Sequence, residues 1–112
     1  MSKILFPFGG ATVKGLTATG AQALFIENML TIIDGSTIMA TGNRTLNLSV
    51  DEKLKVGATI YIKLKTSATE TTSFGTKMLG KDITGVLGKT KCTIFVFDGS
   101  NFIEMGTPIQ ID

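Results

Sequence analysis

The sequence predicts an all-β protein, an antiparallel β-sandwich or jelly roll of about eight short strands. Threonine, glycine and isoleucine are abundant, and the 13 glycines interrupt the chain at short intervals. Isoleucine and threonine favour strands and glycine marks turns, whereas good helix formers rarely cluster in this chain. Two segments also alternate apolar and polar side chains, as strands with one buried face do.

The N-terminal part of the chain is the least regular. Glycines break residues 1–23 repeatedly, so we expect an arm or edge segment there and a sandwich domain over residues 24–112. Residues 24–33 form the first apolar run, which favours a strand, with a helix as the alternative. Asp34 and Gly35 then predict a tight hairpin turn, because both tolerate left-handed backbone angles.

The middle of the chain carries the two alternating strands, over residues 44–50 and 58–65. A short strand over 36–40 precedes them, and a strand bent at Gly75 is expected over 73–79. The side chains predicted to face inward are Leu46, Leu48, Val50, Ile60, Ile62 and Leu64. Tyr61 lies on the opposite face of its strand and is expected to be exposed.

The C-terminal part predicts a second hairpin, with its turn at Asp98 and Gly99. Its first strand is apolar on both faces: Cys92, Ile94 and Val96 share one, and Phe95 and Phe97 share the other. Either both faces are covered within one chain, or one face packs on another subunit. We favour the second explanation and predict an oligomer interface at Phe95, Phe97 and Phe102.

Composition argues against most enzyme classes. The chain has no histidine, which removes the commonest general base and most transition-metal sites. Cys92 is the only cysteine, so no intrachain disulfide and no cysteine-built zinc site can form. We therefore predict no catalytic residues, no metal and no cofactor. Charged residues make up only 18%, which is low for a small soluble monomer and indicates surface covered by partners.

Three local motifs have simpler explanations than chemistry. Gly88-Lys89-Thr90 resembles the end of a phosphate-binding loop, but the glycine expected five residues earlier is absent and a strand follows. Asp98 sits at a predicted turn, where aspartate bonds to nearby backbone. The lysines around Tyr61 fit a solvated strand face, and the net charge of +2 is too weak to predict nucleic-acid binding. No apolar stretch is long enough for a membrane helix or a signal-peptide core.

Four short segments carry a family resemblance through their order along the chain. They are LNLSV at 46–50, GATIYIK at 57–63, TTSFG at 71–75 and FDGSNF at 97–102. In this order they resemble the small β-sandwich domains of tailed-bacteriophage virion proteins, which include head fibres, auxiliary capsid proteins and tail-fibre modules.

The resemblance implies a non-enzymatic virion component, commonly a homotrimer, assembled in the bacterial host cytoplasm. Its expected partners are copies of itself and a major capsid or other virion protein, with no nucleic acid and no membrane. A capsid decoration or auxiliary head protein suits the short chain best. The alternative is a receptor- or glycan-binding module of a head or tail fibre, with Tyr61 and Phe74 as the contact residues.

Overall fold

A computed structural model describes residues 12–112, so residues 1–11 of the predicted N-terminal arm lie outside the described residues. The described chain contains strands and no helix, and the strands form two packed sheets. The eleven strands are β1 (Thr12–Gly15), β2 (Gly20–Ile26), β3 (Leu30–Ala40), β4 (Arg44–Val50), β5 (Thr59–Thr66), β6 (Thr71–Phe74), β7 (Met78–Leu79), β8 (Ile83–Thr84), β9 (Thr90–Phe97), β10 (Phe102–Glu104) and β11 (Ile109–Gln110). Residues 12–112 contain no helix that is long and apolar enough to cross a membrane.

The first six strands alternate between the two sheets. Sheet A has the order β1-β3-β5-β9-β10-β7, with β11 also paired to β9, and sheet B has the order β2-β4-β6-β8. Within each sheet these first strands run parallel, β1 to β3 to β5 in sheet A and β2 to β4 to β6 in sheet B. Antiparallel pairing joins β5 to β9, β9 to β10 and β11, and β6 to β8.

The predicted all-β class and the sandwich are confirmed. The expectation of antiparallel pairing throughout needs correction, because β1, β3 and β5 pair in parallel in sheet A and β2, β4 and β6 do so in sheet B. Residues 12–112 form eleven strands, compared with about eight expected. Alternation of apolar and polar side chains identifies the buried face of a strand but is the same for either pairing direction. Of the two alternatives for the N-terminal part, an arm or an edge segment, residues 12–23 agree with the second, since β1 lies at the edge of sheet A and β2 at the edge of sheet B.

The predicted turn at Asp34 and Gly35 is wrong, because β3 continues through both residues. Asp34 lies opposite Lys63 and Gly35 opposite Leu64, both on β5. A Cβ on Gly35 would lie 2.7 Å from the Lys63 carbonyl oxygen. This position therefore needs glycine because neighbouring backbone approaches it closely, and close approach is a common reason for glycine in a strand.

The C-terminal hairpin is confirmed. The Asp98 amide donates to the Asn101 carbonyl at 3.0 Å, and Gly99 has a φ of +106°. The Asp98 Oδ1 atom accepts hydrogen bonds from the amides of Ser100 and Asn101, each at 2.8 Å. The aspartate thus holds the turn, as sequence reasoning expected of it.

The core lies between the two sheets and is mostly aliphatic. Leu46 and Leu48 on β4 and Ile60, Ile62 and Leu64 on β5 are buried, as the alternation predicted. Two aromatic pairs among residues 12–112 also belong to the core. The ring centroids of Phe74 and Phe95 are 4.8 Å apart in an edge-to-face arrangement, and those of Phe97 and Phe102 are 4.9 Å apart.

Arg44, at the start of β4, is the one charged side chain among the largest buried groups of the described residues. Its Nη2 donates to the Lys65 carbonyl oxygen at 3.2 Å and its Nη1 to the Ile38 carbonyl oxygen at 3.5 Å. Nε has no hydrogen-bond partner among the described residues. Burial lowers the pKa of Arg44, and the nearby Glu70 carboxylate partly opposes that shift. The arginine joins the carbonyl groups of β3 and β5 across the interior.

Candidate assembly surface

The outer face of sheet A, the side turned away from the core, carries two adjacent rows of mostly apolar side chains. The first row crosses five chain segments: Val13 lies opposite Ile32, Ile32 opposite Tyr61, and Tyr61 opposite Ile94. The Met105 amide donates to the Ile94 carbonyl at 2.9 Å and extends the row. Val13, Tyr61, Ile94 and Met105 are exposed and Ile32 is half-buried.

A second row runs beside the first. Leu30 lies opposite Thr59, Thr59 opposite Val96, Val96 opposite Ile103, and Ile103 opposite Leu79. Leu79 is exposed and the other four residues are half-buried. Neighbouring residues on one face of paired strands lie about 4.5–5.5 Å apart, close enough for their side chains to touch. We call the two rows together the apolar face.

The apolar face has a polar border on one side. Asp34, Lys63 and Cys92 lie opposite one another on β3, β5 and β9, and Ile109 follows Cys92. The Ser36 hydroxyl and amide both donate to Asp34 Oδ1, and these bonds, with Lys63 nearby, hold the pKa of Asp34 below its usual value. Asp34 therefore stays ionised beside Lys63, and the border carries charges of both signs.

The outer face of sheet B has a different chemistry. Its paired positions on β2 and β4 are Ala21 with Thr45, Ala23 with Asn47, and Phe25 with Ser49. Further across, it presents Ser73, Thr71 and Thr84. Of these side chains only Phe25 is large and apolar. A polar outer face is normal for a sandwich in water, and the paired strands of sheet B come closer to that pattern than those of sheet A.

The structure corrects the predicted interface residues. Phe95 and Phe102 are 0% exposed and Phe97 is 4% exposed within a single chain, because all three fill the space between the sheets. They offer no surface to a partner. The opposite face of β9, with Ile94 and Val96, is the one turned outward. The prediction that β9 is apolar on both faces is correct. The predicted outward face, with Phe95 and Phe97, is the one that faces the core.

The two predicted ligand-contact residues do not form one site. Tyr61 is 43% exposed on the apolar face. Phe74 is half-buried and packs its ring on Phe95 in the core. Tyr61 stands between the aliphatic side chains of Ile32 and Ile94 across the strands, and its polar neighbours on the same face are Thr59 and Lys63 along β5.

A shallow cavity of about 310 Å³ lies between residues 81–83, Lys91 and residues 104–108, and several charged residues line it. Glu104 accepts from the Thr93 hydroxyl at 2.8 Å and from the Lys81 amide at 3.2 Å. The Lys91 ammonium donates to the Thr84 carbonyl at 2.8 Å. These hydrogen bonds fasten loops to strands around the cavity.

The metal-binding side chains, the Cys92 thiol and the Asp98 carboxylate also give no sign of a reactive site in the described residues. No three metal-binding side chains come together within residues 12–112. Burial raises the pKa of the Cys92 thiol, so the thiol stays protonated and weakly nucleophilic at neutral pH. Hydrogen bonds from Asn101 and Ser100 lower the pKa of Asp98, which acts in its turn and not in a cleft.

Comparison with known proteins assigns no family to the chain. No protein-family model matches it, and no curated protein sequence matches it.

Proposed function

We propose that this chain is a non-enzymatic structural protein of a tailed-phage virion, a capsid decoration or auxiliary head protein that assembles as a homo-oligomer on the particle surface. The observation that supports this function best is the contrast between the two outer faces of the sandwich. A large exposed apolar face on one side of a sandwich, with a more polar face on the other side, is typical of a protein that binds other proteins.

The resemblance to phage virion domains adds support from the chain itself. Its segments at 46–50, 57–63 and 71–75 correspond to most of β4, the start of β5 and β6, and the segment at 97–102 forms the β9–β10 turn. These segments build both sheets of one sandwich. A small β-sandwich of this kind is the domain type that the resemblance implies.

Binding of a receptor or glycan is less well supported. A sugar site needs an exposed aromatic ring with polar neighbours, and of the two aromatic residues expected to serve, only Tyr61 is exposed. Its neighbours in the first row are Ile32 and Ile94. That setting favours contact with a protein surface over contact with a carbohydrate.

Location in the particle tests the proposal directly. Antibodies against the full chain are used for immunoelectron microscopy of purified phage particles from the biological source of the sequence, and the particle proteins are quantified by mass spectrometry. We expect many copies per particle, labelled on the outside of the head and retained after a salt wash. Recovery of the protein only in the particle-free fraction would overturn the proposal, and labelling confined to tails would move it to a fibre.

A further inference from the structure

We infer that the apolar face of sheet A packs against the same face of a second copy of this chain. The inference names the surface through which the protein would assemble, and it rests on the proposed function for its place in a virion.

The apolar face is wide enough to take part in a protein interface. Each of its two rows crosses five chain segments about 4.8 Å apart, and the rows lie two residues apart along the strands, so together they outline a flat area on the order of 300 Å². Exposed side chains such as Val13, Met105 and Leu79 add to this surface. A stable interface takes roughly 800 Å² from each partner, so the contact would extend from the two rows over the border with Asp34 and Lys63.

The distribution of charge fits a second copy. The two central rows of the face contain no charged side chain, and the border on one side carries Asp34 and Lys63. A face whose border has both signs of charge does not repel an identical face, and either copy can place its Lys63 near the other's Asp34. An uncharged centre with a polar rim is the common design of protein interfaces.

Sheet-on-sheet packing also fits a second copy. Two sheets stack about 10 Å apart, with the side chains of their facing surfaces interdigitating. Sheet A already packs in this way against sheet B through Phe95 and Phe97. Packing of Ile94 and Val96 on another copy would bury both faces of β9, which accounts for a strand that is apolar on both sides.

The experiment compares matched lysine substitutions on the two outer faces of the full chain. Ile94→Lys and, separately, Val13→Lys place a charge on the apolar face, at an exposed central position and at an exposed edge position. Ser49→Lys is the control, because Ser49 is exposed on the outer face of sheet B, opposite Phe25. Oligomeric state is measured by analytical ultracentrifugation over a concentration series, and circular dichroism and thermal unfolding report whether each variant folds.

We expect the unmodified protein and Ser49→Lys to form the same oligomer. We expect Ile94→Lys and Val13→Lys to be folded and at least about tenfold weaker in association, since an unpaired ammonium would have to enter an apolar interface. If Ile94→Lys fails to fold, Val13→Lys still decides the outcome, because its position at the sheet edge is more exposed.

Cys92 supplies an independent measurement without any substitution. It is the only thiol in the chain and lies at the border of the apolar face. We expect it to react with a maleimide more slowly at concentrations where the protein is oligomeric than after dilution to monomer. Equal rates in both states would contradict cover of this face by a second copy.

Three results would overturn the inference. They are a protein that is monomeric at all concentrations, an oligomer that neither apolar-face variant weakens, and an oligomer that Ser49→Lys weakens equally. A monomer that binds phage heads, and loses that binding with Ile94→Lys, would assign the face to a capsid partner. That last result would remove self-packing but leave the proposed function standing.

Discussion

Tyr61 and Ile94 lie directly opposite each other on the antiparallel strands β5 and β9, and both side chains are exposed on the outer face of sheet A, 43% and 40% respectively. In an antiparallel pair such neighbours cover one another only in part, so both leave apolar surface in water. Tyr61 is also the only tyrosine in a chain without tryptophan. Its fluorescence therefore reports on the centre of the apolar face alone.

We expect acrylamide to quench Tyr61 fluorescence weakly at high protein concentration and more strongly after dilution. The physical reason is that packing against another copy would shield the ring from the quencher. The Stern–Volmer constant, measured over the concentration range used for ultracentrifugation, checks this. A constant that does not vary with concentration in a protein shown to dissociate would contradict shielding of Tyr61.

Truncation of Phe95 should damage folding and not assembly. Its ring is fully buried and packs edge-to-face on Phe74, so Phe95→Ala should lower the free energy of unfolding by about 3–5 kcal/mol. Urea unfolding followed by circular dichroism measures the loss. The matched control is Ile94→Ala on the neighbouring outward position, for which we expect a much smaller loss. Similar losses for the two variants would show that the assignment of the two faces of β9 is wrong.

A methyl group at Gly35 should be costly, although Gly35 has an ordinary strand conformation. An added Cβ would meet the Lys63 carbonyl oxygen at 2.7 Å and the Leu16 Cδ1 atom at 2.8 Å. Overpacking of this kind costs about 1–3 kcal/mol, so Gly35→Ala should lower the urea midpoint clearly. Gly15→Ala is the control, because nothing lies within 4 Å of a Cβ there. Equal midpoints for both variants would show that β3 and β5 do not approach this closely.

Stability should fall in acid and be nearly flat around neutral pH. Hydrogen bonds from Ser36 lower the pKa of Asp34, and those from Asn101 and Ser100 lower that of Asp98. A carboxyl whose folded-state pKa is depressed stabilises the fold fully above its unfolded pKa, about 3.9 for aspartate, and loses that contribution as the pH falls through the folded-state pKa. The chain has no histidine to titrate between pH 5 and pH 7.

Urea midpoints measured from pH 7 to pH 2.5 test this dependence. We expect a plateau down to about pH 5 and a decline below about pH 4, with a smaller decline in Asp34→Asn. The control is Asp82→Asn, which changes an exposed carboxylate that accepts no hydrogen bond among the described residues. A decline in Asp34→Asn as steep as in the control would show that the bonds from Ser36 do not stabilise the charged form.

The buried guanidinium of Arg44 should be replaceable by an apolar side chain but not by a small one. Methionine fills a similar space and removes a buried charge that has no carboxylate hydrogen bond, so we expect Arg44→Met to change the unfolding free energy by less than about 1.5 kcal/mol. Arg44→Ala leaves a cavity between β4 and β5 and should cost about 2–5 kcal/mol. Chemical denaturation of both variants distinguishes them. A larger loss for Arg44→Met than for Arg44→Ala would mean that the bonds to Lys65 and Ile38 dominate.

Local features of the chain were readable from residues alone. Alternation in β4 and β5 predicted the buried residues Leu46, Leu48, Ile60, Ile62 and Leu64. Asp98 and Gly99 predicted the β9–β10 turn. These predictions succeed because a strand's side-chain period and a tight turn's backbone angles are set by neighbours in sequence.

The sequence by itself determined that this is an all-β sandwich with a strand, β9, that is apolar on both faces. Only the tertiary structure decided that the first six strands alternate between the two sheets and pair in parallel within each sheet. It also decided that Gly35 lies inside β3, and that Phe95 faces the core while Ile94 faces outward. The physical reason is that strand partners and the inner side of a sheet depend on residues far apart in the chain, and side-chain alternation is identical for either choice.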